Sequence, residues 1–127
     1  MFPFFPRINR TIFETLQIPT TLPTLDELLG LPEFPLNNLI YYYKSLLKVK
    51  CPNVLTIHAE LEGMKYLGWF RDFLLVLQQS NIDFKSLSQI AEEQLHSKEK
   101  IPVCDLIQGE VAGRSGKLAL QLVTMTR

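Results

Sequence analysis

The apolar positions fall into three stripes with helical spacing. Between Leu36 and Leu47 they stand at Leu36, Leu39, Ile40, Tyr43 and Leu47, behind Pro35, which suits the start of a helix. From Lys65 to Gln79 the stripe is Tyr66, Phe70, Phe73, Leu74 and Leu77. A third stripe, Leu87, Ile90 and Ala91 to about Leu95, follows Ser86, which forms a capping-box pair with Gln89. Between the helices the pattern is extended. Asn53 to His58 reads Asn-Val-Leu-Thr-Ile-His behind Pro52 and predicts a strand, and Ile82 to Lys85 predicts a shorter one. Val103 to Ile107 and Lys117 to Val123 flank the turn-rich Gly109-Glu-Val-Ala-Gly-Arg-Ser-Gly116 and predict a hairpin. The alternation of helix and strand through the middle argues for βα units, a parallel sheet and the α/β class. So few parallel strands make a thin sheet, because parallel sheets are normally covered on both faces; the pattern expects partners from outside the chain.

The beginning differs. Seven of the eight prolines lie between Pro3 and Pro52. Proline removes an amide donor and turns its predecessor away from helix, so this third reads as extended and turn-rich. It is nevertheless apolar (Phe2, Phe4, Phe5, Ile8, Ile12, Phe13), and such a segment needs something to pack against.

Composition narrows the classes. The 127 residues are 46 % hydrophobic and 20 % charged, the profile of a packed chain of domain length. Thirteen basic residues balance thirteen acidic ones. Nucleic-acid binding calls for a basic excess or stripe, and Lys44, Lys48 and Lys50 at a helix end read as a solvated face, so no nucleic-acid partner is expected. Two cysteines, Cys51 and Cys104, form no CxxC pair and read as free buried thiols. Met-Phe-Pro-Phe-Phe-Pro lacks the basic and apolar regions of a signal peptide, and no run approaches the ~18 apolar residues of a membrane span; peripheral membrane contact stays open. The two histidines, His58 and His96, leave few ligands for a metal centre built from this chain alone.

Chemistry concentrates in Thr56-Ile-His-Ala-Glu-Leu-Glu-Gly63. His58 closes an apolar strand, and the carboxyl ends of strands are where sites collect in α/β folds. Imidazole titrates near neutrality and serves as general acid or base. Glu60 and Glu62 follow within reach to orient it or to accept a substrate hydroxyl, and Gly63 suits a sharp turn. The bland alternative is a strand-end histidine satisfied by a backbone carbonyl beside two solvated glutamates. His96 reads as an exposed helix end. Thr24 and Glu27 have capping-box spacing, so Asp26 and Glu27 read either as helix initiation or as a substrate-contacting loop. Arg114 lies in a glycine-flanked turn, where it is either solvated or an anion fork. There is no P-loop, GxGxxG or GxSxG motif.

Four segments, taken in order, resemble the polysaccharide deacetylase (NodB-homology) family. They are Gln17-Ile-Pro-Thr-Thr-Leu-Pro-Thr-Leu-Asp-Glu-Leu-Leu-Gly30, the His58 block, Asp83-Phe-Lys-Ser-Leu87 and Gly109 to Leu118. Within the family the likeness is greatest to deformylases acting on a lipid-linked formamido sugar in lipid A modification. The resemblance implies a distorted (β/α)7-type barrel and a divalent metal, zinc or similar, held by an aspartate and two histidines. It also implies a separate aspartate base and a late-strand histidine that protonates the leaving amine. The last role falls on His58. Glu60, Glu62, Asp26 and Arg114 become candidates for binding or orienting substrate.

The base and metal-ligand motifs of the family lie in its N-terminal half, and neither Asp-Asp nor HxxxH occurs here. The expectation is therefore that residues 1–127 are a single partial domain, the C-terminal part of such a barrel with a hairpin at its end. No metal is expected on this chain alone, and no activity without a separately encoded N-terminal half. The intact enzyme would remove a formyl or acetyl group from a lipid-linked amino sugar in the cytoplasm, at the inner face of the membrane. Two alternatives are a non-catalytic binding or scaffold remnant and an unrelated small α/β interaction domain.

Overall fold

The computed structural model describes residues 1–49, 51–111 and 115–122. In chain order the elements are β1 (Phe5–Ile8), β2 (Thr11–Ile12), α1 (Leu25–Leu28), α2 (Leu36–Leu46), a π-helical turn (Leu61–Lys65), α3 (Leu67–Gln79), α4 (Leu87–His96), β3 (Val103–Gly109) and β4 (Leu118–Gln121). The architecture is mixed α/β, and the chain divides into two compact units.

The first unit joins residues 1–21 to the described residues from 85 onward. Its sheet has the order β2-β1-β3-β4. β1 and β2 form a tight antiparallel hairpin, whose turn residues Asn9 and Arg10 take φ of 48° and 70°, the mirror-image geometry that follows strand twist. β1 runs parallel to β3, with Phe5 opposite Val103 and Arg7 opposite Asp105. Pro6 is tolerated in β1 because that position uses only its carbonyl, which accepts the N–H of Phe13 at 2.9 Å. The register is marked by a two-pronged ion pair: Arg7 Nε and Nη2 donate to the two Asp105 carboxylate oxygens, each at 2.6 Å. β3 and β4 pair antiparallel, from Leu106 opposite Gln121 to Gly109 opposite Leu118. The predicted hairpin is thus present, and the N-terminal segment pairs through β1 with β3, while Ile8, Ile12 and Phe13 stay exposed. α4 begins at the predicted capping box, with the Gln89 N–H donating to Ser86 Oγ and the Ser86 N–H to Gln89 Oε1.

The second unit, Leu22–Phe84, is helical. Its core is Leu22, Leu25, Leu28, Leu39, Tyr43, Phe73 and Leu77. The stripes explain it: Leu39 and Tyr43 lie four residues apart on α2, Phe73 and Leu77 four apart on α3. Tyr43 is completely buried, 5.3 Å from the Phe73 ring, and Trp69 stacks on Phe73 at 5.4 Å. Of the three consecutive tyrosines, Tyr43 is buried, Tyr42 half-buried and Tyr41 exposed.

Three expectations need correction. Neither Asn53–His58 nor Ile82–Lys85 forms a strand. Every named strand lies outside this unit, so Asn53–His58 has no ladder to join; Leu22 N–H donates to Val54 C=O at 3.1 Å without starting one. Strand character depends on a packed neighbour more than on the residues themselves. The sheet is accordingly built from the chain's two ends, with a single parallel pair, and not from βα units through its middle. Finally, Cys104 is buried but Cys51 is exposed; both are free. Lys50 and Arg114 lie outside the described residues.

Candidate active site

The site lies within the helical unit, where two loops meet. The first runs into α1. Thr24 caps that helix, its N–H donating to Glu27 Oε2 at 2.9 Å, and both residues are buried. The capping box therefore consumes Glu27 and leaves its neighbour Asp26 exposed on the first turn. The segment is anchored from α2 by the Tyr43 hydroxyl, which donates to the Pro23 carbonyl at 3.0 Å. Burial, together with the charges of Glu62, Glu27 and Asp26, pushes the Tyr43 phenol well above its usual range, so it stays a neutral donor.

The second loop carries His58. Its carbonyl accepts the N–H groups of Leu61 and Glu62, both at 3.0 Å, and opens the π-helical turn. Such turns occur often at functional sites. The His58 N–H in turn donates to Glu62 Oε2 at 2.8 Å. Glu62 is only 1 % exposed, whereas Glu60 is exposed. Gly63 lies inside this turn without a left-handed φ, so the turn does not demand glycine, contrary to the expectation drawn from its sequence position.

The two loops bring His58 and Asp26 together, with His58 Nδ1 3.6 Å from Asp26 Oδ1. That is an ion-pair separation, longer than a hydrogen bond. Nδ1 is itself buried with no hydrogen-bond partner among the described residues, while the side chain as a whole is 41 % exposed. The exposure therefore belongs to other atoms of the side chain. This arrangement faces one imidazole nitrogen toward a carboxylate on a side chain that is partly open to solvent.

Of the predicted site residues, Asp26, His58, Glu60 and Glu62 all fall in this unit, and Arg114 is outside the described residues. His96 is an exposed helix end, its Nδ1 2.8 Å from the Glu92 carbonyl. Sequence reasoning missed the tie from Tyr43 to Pro23, which no local pattern encodes. It also missed the tie from Glu62 to the His58 backbone, for which the four-residue spacing was a usable signal. Among the described residues no group of three or more His, Cys, Asp or Glu side chains could hold a metal ion. His58 and Asp26 offer two donors, which do not by themselves fit the three-residue metal set that the family resemblance implies.

No family model matches the chain. It is similar to two curated proteins. One, from Wigglesworthia glossinidia brevipalpis, is named probable 4-deoxy-4-formamido-L-arabinose-phosphoundecaprenol deformylase ArnD; it is 34 % identical over 119 residues, 93 % of this chain and 40 % of the relative. The other, of the same name, is from Shewanella sediminis (strain HAW-EB3) and is 33 % identical over 108 residues, 83 % of this chain and 33 % of the relative. The chain thus spans 40 % or less of the length of the curated relatives it matches.

Proposed function

We propose that this relative of the formamido-arabinose deformylases forms the proton-delivering side of an amide hydrolase site. The observation that carries the reading is the pairing of His58 with Asp26, Nδ1 buried and the side chain partly exposed. The reaction is hydrolysis of a formamide, or acetamide, on a lipid-linked amino sugar. Water adds to the carbonyl carbon, the C–N bond breaks, the acid departs and the sugar nitrogen takes a proton. His58 delivers that proton as general acid, a role worth about 10²–10⁴-fold in rate. Asp26 acts through His58: a carboxylate at Nδ1 favours the proton there in the neutral ring, which directs Nε2 to the leaving group. Catalytic hydrogen bonds that are long without substrate commonly tighten in its complex, and 3.6 Å is within such an adjustment. Glu60, exposed on the same loop, is suited to a sugar hydroxyl, and Arg114 to an anionic group.

Activation of the water belongs, in this reading, to the remainder of a polysaccharide-deacetylase barrel of which this chain is the C-terminal part. The divalent metal implied by the family would reside there, and no step is assigned to it here. Activity then requires that remainder, and the site works at the cytoplasmic face of a membrane where a lipid-linked substrate is presented. No described helix is long and apolar enough to cross that membrane.

The test is reconstitution. The purified chain is assayed for formate release from a lipid-linked formamido sugar, alone and co-expressed with the N-terminal remainder of the Wigglesworthia relative. Turnover is expected only in the second case, and His58→Ala is expected to lower it about 10²–10⁴-fold. Turnover by the chain alone overturns the partial-enzyme reading. Unchanged reconstituted turnover with His58→Ala overturns the acid assignment, and failure to reconstitute favours a non-catalytic remnant.

A further inference from the structure

We infer that Glu62 is a positioning residue for His58, holding the main chain from which the imidazole projects, and that it does not contact substrate. The inference rests on the reading of His58 as general acid, and it assigns Glu62 to one of two roles its sequence position left open. Three observations carry it. First, Glu62 is 1 % exposed, among the most buried side chains in the unit, although it stands two residues from exposed Glu60. A substrate arriving at the exposed part of His58 has no surface of Glu62 to touch. Second, the tie is two-way: Glu62 Oε2 accepts the His58 N–H at 2.8 Å, and the Glu62 N–H donates to the His58 carbonyl at 3.0 Å. Glu62 thus meets both backbone polar groups of His58, sharing the carbonyl with the Leu61 N–H, and so restrains the peptide planes on either side of its Cα. Third, the ring's Nδ1 has no hydrogen-bond partner among the described residues and stands 3.6 Å from Asp26. The backbone ties to Glu62 therefore act alongside Asp26 in placing the imidazole.

The chemistry also argues against a filler. A buried carboxylate is costly unless its oxygens are paired, and Oε1 of Glu62 is buried with no hydrogen-bond partner among the described residues. A leucine of similar bulk would fill the same space without that cost. What the carboxylate adds is a charge-assisted acceptor for one particular N–H, shorter and stronger than a neutral one. Placement at this level matters for catalysis, because a reacting group misplaced by about 1 Å can cost roughly 10²-fold in rate.

The test uses the full chain and needs no turnover. The nitrogen-15 spectrum reports the His58 amide and the imidazole tautomer, and hydrogen exchange reports protection of that amide. Glu62→Gln keeps an acceptor of the same shape, and Glu62→Leu keeps only the bulk. The expected result is that Glu62→Gln preserves the wild-type tautomer ratio and His58 protection. Glu62→Leu is expected to speed exchange at His58 roughly 10- to 100-fold, the loss of a hydrogen bond to a charged group, while core amides of α3 stay protected. It should also move the tautomer ratio toward that of free imidazole. Unchanged His58 exchange and tautomer in Glu62→Leu overturns the inference, as does a Glu62→Gln chain that behaves like Glu62→Leu. Should Glu62→Leu fail to fold, the wild-type chain decides: the His58 amide must be protected from exchange, and an amide that exchanges as in an unfolded chain refutes the tie. Because none of these readouts involves hydrolysis, their failure is separate from failure of the deformylase reading. In the reconstituted enzyme, Glu62→Gln should keep kcat, and Glu62→Leu should lower kcat with KM unchanged.

Discussion

Replacing Tyr43 with phenylalanine removes one oxygen from the most enclosed ring of the helical unit. That oxygen donates to the Pro23 carbonyl at 3.0 Å, three residues before Asp26. The lost hydrogen bond costs about 1 kcal/mol net, and the half-buried carbonyl keeps some access to water, which argues against a larger penalty. Tyr43→Ala removes the ring as well. The side chain is 0 % exposed and lies 5.3 Å from Phe73 and 6.1 Å from Trp69 between centroids. Large-to-alanine changes at such sites cost about 3–5 kcal/mol, a considerable share of the ~5–15 kcal/mol that holds a domain folded. Urea unfolding followed by tryptophan emission measures both, because the one tryptophan of the chain, Trp69, stacks on Phe73 beside Tyr43. With a denaturant slope of about 2 kcal/mol per molar, Tyr43→Phe should lower the midpoint by about 0.5 M. Tyr43→Ala should lower it by about 1.5–2.5 M or leave no folded baseline. An unchanged midpoint for Tyr43→Phe would refute the anchoring of the Asp26 segment by the hydroxyl. A Tyr43→Ala shift no larger than that of Tyr43→Phe would refute the central place of the ring.

Other outcomes follow from the same contacts. Because the folded Tyr43 phenol is held above its ordinary value near 10, its neutral burial favours the fold fully below that pH. Above it only the unfolded chain ionises readily, so stability falls as pH rises; phenolate absorbance should show one of the four tyrosines titrating only as the Trp69 signal unfolds. The hydrogen bonds from Arg7 hold the Asp105 carboxyl below its usual range, so its contribution is present above about pH 4 and lost as pH falls through the lowered value. Asp105→Asn should flatten that acid limb of the stability curve, and an identical acid limb in the variant counts against the ion pair. Ser86→Ala should cost about 1 kcal/mol through the lost cap of α4, read as faster amide exchange in its first turn.

Local signals in this chain proved reliable because they carry their own energetics. The Ser86–Gln89 box, the Leu39–Tyr43 and Phe73–Leu77 pairs and the Gly109–Gly116 hairpin each depend on residues close in sequence. The segment from Asn53 to His58 looked equally good and failed as a strand. A ladder needs a second chain segment alongside, and no composition supplies one. The same reasoning applies to the site. Thr56 to Gly63 stands out as a candidate by residue type alone, but which glutamate faces solvent and which is buried could not be read from their spacing.

By itself, then, the sequence determined the helices, the buried faces of α2 and α3, the closing hairpin and the likeness to the deformylases, whereas the apolar stripe of α4 leaves Leu87 and Leu95 exposed. These follow from periodicity, capping and residue type, which act over a few positions. Only the tertiary structure paired β1 with β3 across the length of the chain, set Asp26 3.6 Å from His58 and turned Glu62 inward onto the His58 backbone. Those contacts arise where separate segments fold back on one another. Their partners are chosen by burial and by the need to satisfy buried polar groups, and neither is a property of a short window of sequence.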